Sequence, residues 1–190
     1  MAPTSVSQRD VFRWIATTEY LDWPAYDSTP LYDRSSLPAL TEDFRTVSGI
    51  WFEHDAHDSV EGFVCQYPLS YVEFNPHDQY SGPTRYEMPQ LFRAFLLKEV
   101  YGWGHETALV KYLRQHSETR RSLGFDSVPD QSTLWRSWNQ RFSADLRETV
   151  ERTARTLLIN AQNAGAAVPR DPKRKLQYHN DESEATDPDD

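Results

Sequence analysis

Val128-Pro-Asp-Gln-Ser-Thr-Leu-Trp-Arg-Ser-Trp-Asn-Gln-Arg-Phe142 changes character within a few residues. Val128-Pro129 breaks whatever precedes it, because a residue before proline leaves the helical region. Asp130 is a suitable cap for a helix running to Phe142. With Leu134 at the origin and about 100° per residue, Trp138 falls near ~40°, Phe142 near ~80° and Trp135 near ~100°. Ser132, Thr133, Arg136, Ser137 and Gln140 spread over the far side, and Asn139 and Arg141 flank the apolar stripe. Large aromatic side chains anchor such a helix by the area they bury. The polar arc carries the types that reach base edges and phosphates: Arg to guanine, Gln or Asn to adenine, Ser or Thr to either. On pattern alone two readings stand, an amphipathic helix with a solvated face and a helix that meets DNA with its front.

The neighbouring segments on both sides are also helical. Pro89 suits a first turn. Leu91, Phe92, Phe95, Leu96 and Val100 then share a broad face, while Ala94, Leu97 and Tyr101 fill much of the remainder, which predicts a helix buried on several sides. Gly102 stops it. A second helix begins near His105 and carries Ala108, Leu109, Tyr112 and Leu113. Ser117 caps a short helix over Glu118–Leu123 that ends at Gly124. Arg120 and Arg121 on it are placed to hold backbone phosphates. Ser143 caps the longest helix, with Leu146, Val150, Ala154, Leu157, Leu158 and Ala161 on one side and Gly165 at its end. The Gly102-Trp-Gly104 stretch is a connector between helices and not a phosphate-binding loop.

The flanks read differently. Residues 1–24 hold one plausible helix, with Ser7 as cap and Val11, Phe12 and Ile15 inside it. Leu37 to Val47 forms a second short helix. Ser48 to Arg85 shows no sustained period, with short strands expected around Gly62–Gln66 and Ser70–Phe74. This stretch covers the helices with Trp51, Phe52, Tyr67, Tyr71 and Phe74. Pro169 to Asp190 has proline and charge without an apolar period and is expected to be a linker or disordered. The expected fold is therefore mainly α: an irregular N-terminal extension (1–85), a small multi-helix domain with a helix-turn-helix-like element (86–165) and an acidic tail (166–190).

Charge follows the same division. The 190 residues carry a net −9, yet residues 85–165 hold 12 Lys/Arg against 9 Asp/Glu, a local +3 between two acidic flanks. Of the 20 basic residues, 16 are Arg. An acidic, lysine-poor surface is expected of a protein working in high salt, where surface charge maintains solubility. No apolar run approaches the ~20 residues of a membrane span, and the N-terminus lacks a signal-peptide pattern. A single cysteine, Cys65, excludes an internal disulfide and fits a cytoplasmic location.

Four pieces in order carry a family resemblance: Pro89-Gln-Leu-Phe-Arg-Ala-Phe-Leu-Leu-Lys98, Tyr101-Gly-Trp-Gly-His-Glu-Thr-Ala-Leu-Val-Lys-Tyr-Leu113, Arg120-Arg-Ser-Leu-Gly-Phe125 and Val128-Pro-Asp-Gln-Ser-Thr-Leu-Trp-Arg136. From about Tyr86 to Gly165 the chain resembles the N-terminal domain of bacterial and archaeal insertion-sequence transposases of the DDE class. The first 84 residues look like the long N-terminal extension of haloarchaeal members. The resemblance implies a helical domain that helps bind the terminal inverted repeats of the element. The DNA-binding residues it favours are Arg120, Arg121, Ser132, Thr133, Arg136, Asn139, Gln140 and Arg141.

Such transposases cut and join DNA with three carboxylates that hold divalent metal on an RNase H-like sheet. The residues after Gly165 offer no such scaffold, so the expectation is an N-terminal portion with no catalytic residues, metal or cofactor of its own. Asp181-Glu-Ser-Glu-Ala-Thr-Asp-Pro-Asp-Asp190 is a solvated run, since catalytic carboxylates must be held rigidly. The implied partners are DNA at the element ends and a second copy or a full-length transposase. Two alternatives differ in class. His54 and His57, with His77 nearby, offer imidazoles to a metal, which dialysis against Zn²⁺ would reveal. A helical interaction module would bury Trp135 and Trp138 between subunits, which light scattering would reveal.

Overall fold

Leucine, phenylalanine and alanine on every side of one helix leave it no solvent face, and that helix lies at the middle of the computed structural model. The structure describes residues 36–54, 59–67, 69 and 72–173. Seven α-helices occur among them: α1 (Leu37–His54), α2 (Val60–Gln66), α3 (Met88–Tyr101), α4 (Glu106–Gln115), α5 (Ser117–Leu123), α6 (Gln131–Arg136) and α7 (Ala144–Asn163). In α3, Leu91, Phe92, Ala94, Phe95, Leu96, Leu97 and Val100 are all essentially sealed from solvent. A capping box starts it, Glu87 and Gln90 each accepting from the other's backbone N–H, and Gly102 ends it in the left-handed region at φ 75°.

Helix α7 packs against both α1 and α3. Its buried positions, Leu146, Thr149, Val150, Thr153, Ala154, Leu157, Leu158 and Ala161, recur at three- and four-residue steps. Ser143 caps it as the sequence indicates, accepting from Leu146 N at 3.1 Å. The α1–α7 seam is pinned by Asn160, whose Nδ2 donates to Arg45 O and to Ser48 Oγ, both at 2.8 Å. One apolar core runs from Leu37 to Ala166. Helices α1 and α2, with Leu69, Val72 and Phe74, thus share this core with the later helices. The chain after α7 also folds back: Arg170 Nε donates to Glu99 O at 2.9 Å, and Pro172 is buried.

Three expectations about this region are corrected. Of the strand expected around Ser70–Phe74, the described residues Val72, Glu73 and Phe74 form no strand. The helix that begins at Leu37 continues to His54 instead of ending near Val47. Gly62–Gln66 is helical and not a strand. Val60, Phe63 and Val64 lie at i, i+3, i+4, and all three are buried. Ser59 caps this helix by accepting from Gly62 N at 2.9 Å. At its other end Arg93 Nη1 donates to Val64 O at 2.7 Å. Phe52, Tyr67 and Phe74 do cover the helices, and Trp51 does so in part. Tyr71, the expected helix in residues 1–24 and residues 174–190 lie outside the described residues.

Candidate nucleic-acid interface

Helix α6 is short because its last turn widens. After Arg136 the chain continues as a π-turn over Ser137–Arg141, closed by Phe142 N donating to Ser137 O at 2.8 Å. Such turns insert one residue into the helical ladder and rotate the residues beyond it. The expected α-helix to Phe142 is corrected accordingly. Asp130 precedes α6 in an extended conformation but makes no side-chain cap bond.

The inward arc of α6 is also rotated from the expected one. Leu134 and Ser137 are buried, and Trp138 packs on Phe95 with ring centroids 5.0 Å apart. Ser137, expected on the polar side, gives its hydroxyl to Thr133 O at 2.7 Å. Trp135, expected in the apolar stripe, is 47% exposed. The buried arc spans roughly −60° to 40° on the helical wheel, and Trp135 at about 100° falls outside it.

The π-turn brings Arg141 inward. Its Nε and Nη2 each donate at 3.0 Å to the two carboxylate oxygens of Asp78, and its Nη1 donates to Tyr86 O at 2.6 Å. The pair is mostly shielded, with side-chain exposures of 11% and 17%. Bidentate geometry fixes direction as well as distance. Backbone bonds reinforce it: Gln79 N donates to Arg141 O at 2.7 Å and Ser143 N to His77 O at 3.1 Å. Arg141 therefore holds both ends of the segment between Asp78 and Tyr86, and every residue from 79 to 85 is exposed. Of the residues singled out for DNA, Arg141 alone has its guanidinium committed to internal packing contacts of this kind.

This loop and α6 face each other across an open groove of about 340 Å³. Tyr80, Pro83, Thr84, Arg85 and Tyr86 form one wall, and Thr133, Arg136, Ser137, Gln140 and Arg141 the other. Thr133, Arg136 and Gln140 are thus brought together as the sequence indicates. Ser132 and Asn139 are exposed. Asn139 donates to Trp135 O at 2.9 Å, so its amide turns back onto its own helix. Arg120 and Arg121 lie on α5, away from the groove lining. Arg121 is exposed and reaches Ser117, while Arg120 Nε is buried with no hydrogen-bond partner among the described residues. Helix α6 leans on α4, and Gln131 Nε2 lies 3.4 Å from His105 Nδ1.

Sequence reasoning missed Tyr80, Thr84 and Arg85. A local signal existed: Ser81-Gly-Pro83 is turn chemistry without apolar period, directly before the first basic residue of the positive block. What makes it a wall is the Asp78–Arg141 pair, which spans 63 positions and leaves no local trace.

Chemistry of other kinds finds little support among the described residues. Burial pushes the Cys65 thiol up to about 11, with Glu61 adding to the shift, so it is neither thiolate nor nucleophile at neutral pH. Burial lowers Arg93 to about 10, which leaves it a cation. No group of three or more His, Cys, Asp or Glu among the described residues is placed to hold a metal ion. Residues 55–58, including His57, lie outside them, as does the His54 side chain. No helix among them is long and apolar enough to cross a membrane.

Residues 66–140 match a transposase domain, DUF772. The match makes the chain transposase-related. It covers under half of the chain, and it contains both walls of the groove except Arg141. No curated protein and no solved structure matches the chain.

Proposed function

We propose that the chain is the DNA-binding portion of a DDE-class transposase and recognises the ends of its insertion element. The observation that carries this reading is the polar edge of α6 and its π-turn, where Thr133, Arg136 and Gln140 share one groove inside the transposase-domain match. Helix α6 then serves as the reading element of a helix-turn-helix-like arrangement. Ser132 and Asn139 extend its polar edge, and Arg120 and Arg121 add phosphate contacts from α5. The three metal-holding carboxylates of the cutting reaction belong to a separate RNase H-like domain.

Arg136→Ala is expected to weaken binding to a duplex carrying the element's terminal repeat more than to a random duplex. A lost guanidinium–base contact removes about 1–3 kcal/mol of discrimination. Arg121→Ala weakens both alike and lowers the salt slope by about one. Anisotropy titrations of both duplexes at several salt concentrations measure this. Equal affinity of the unaltered protein for the two duplexes would remove the site-specific claim.

The exposed ring of Trp135 beside this edge favours a second reading, docking on another copy or on a full-length transposase. A DNA-binding portion without cutting chemistry would then inhibit the complete enzyme by competing for ends. Light scattering at two concentrations separates the readings, since a monomer at both excludes self-association.

The acidic, arginine-dominated composition further supports a salt-rich cytoplasm as the working environment. Unfolding followed by circular dichroism should shift to higher temperature between low and molar KCl, and an unchanged midpoint would discard the proposal.

A further inference from the structure

The Asp78–Tyr86 loop does more than border α6. We infer that it is a second DNA-contacting element, which holds the sugar–phosphate backbone of one strand against α6. This rests on the DNA-binding reading above and extends it to a surface outside the helix.

Charge is the first support. Arg85 stands on the loop wall and Arg136 on the helix wall, and neither has a carboxylate partner among the described residues. No acidic residue lines the groove, and the Arg141 charge is balanced by Asp78. With Arg136 turned to a base edge, the uncompensated Arg85 guanidinium on the opposite wall suits a phosphodiester, which takes several N–H donors at once. A groove of about 340 Å³ gives a backbone phosphate and its sugar room to enter.

Pre-organisation is the second support. Arg85 Nη2 donates to Ser127 Oγ at 3.0 Å, and its guanidinium lies 5.4 Å over the Tyr86 ring. These contacts aim the group while leaving its other donors for a ligand. The Arg141 clasp fixes both ends of the loop, so little ordering is required on binding. Tyr80, 53% exposed, supplies an aromatic edge at the rim. Arg141 and Asp78 are positioning residues here and touch no DNA.

The test is anisotropy with a random 30-base-pair duplex, titrated across salt concentrations. Arg85→Ala is expected to weaken binding about tenfold, the loss of one charged hydrogen-bonding contact, and to lower the salt slope by about one. Arg85→Lys keeps the charge and should keep the slope. Arg155→Ala, an exposed change on α7, controls for general loss of charge and should leave the slope unchanged. If Arg85→Ala keeps the wild-type slope while Arg121→Ala lowers it, the loop is overturned and the DNA-binding reading survives. If Arg155→Ala matches Arg85→Ala, the effect is non-local and the loop is again overturned. If the unaltered protein binds no duplex, the DNA-binding reading fails and takes the loop with it.

Discussion

Asp78→Ala should destabilise the protein by about 3 kcal/mol, the lower end of what breaking a buried ion pair costs. The loss is large because Arg141 stays behind as a mostly shielded cation with only Tyr86 O as acceptor. The low end applies because the neighbouring loop is exposed and can open to admit water. Opening predicts a second readout. Residues 79–85 lose one end of their clasp, so trypsin should cleave after Arg85 faster than it does in the unaltered protein, by local opening. The double variant Asp78→Ala/Arg141→Met should recover part of the loss, since replacing both members of a buried pair removes the stranded charge. Urea titrations of the single and double variants measure this. A cost under about 1 kcal/mol for Asp78→Ala, with unchanged proteolysis, would mean that the pair is solvated and does not hold the loop.

The same pair marks where the sequence stops being readable. Helices α3, α4, α5 and α7 were legible because each carries its own evidence: apolar spacing, a capping residue, or a glycine placed where a left-handed residue is needed. Gly102 and Gly124, at φ 75° and 99°, occupy such positions. Helix α2 had the right spacing in Val60, Phe63 and Val64, but over seven residues it spans barely two turns. With Gly62 and two valines inside it, strand propensity misleads. The extension of α1 past Val47 was hidden by Ser48-Gly49, which locally resemble a stop. There the Ser48 hydroxyl donates back to Phe44 O, and burial of Phe52 carries the helix on.

In the site, the residue types on α6 were legible and their orientation was only partly so. A helical wheel fixes angles relative to one another but not which arc faces the core. Tertiary contacts chose the arc through Ser137, Leu134 and Trp138, and Trp135 was left outside. The π-turn was not legible. It sets Arg141 against Asp78, 63 positions away, and a pairing at that separation leaves no local pattern.

Phe95→Ala should be the most damaging single change of a side chain that no ligand touches. Phe95 is 1% exposed and meets the π-turn from below, with ring centroids 5.0 Å from Trp138 and 5.1 Å from Phe142. Removing a buried phenyl ring costs about 3–5 kcal/mol, because the transfer loss and the residual cavity add. Loss of two aromatic contacts, one of them edge-on at 77°, places this site toward the upper half of that range. Phe95→Leu fills most of the space and should cost on the order of 1–2 kcal/mol. Trp135→Ala, on the outer side of the same turn, should stay within about 0.5 kcal/mol. Urea unfolding with midpoint and slope fitted separately gives all three. Equal losses for Phe95→Ala and Trp135→Ala would mean that the turn is oriented the other way. In that case Arg136 and Gln140 could not share a groove with Arg85, so this comparison tests the interface without any DNA present.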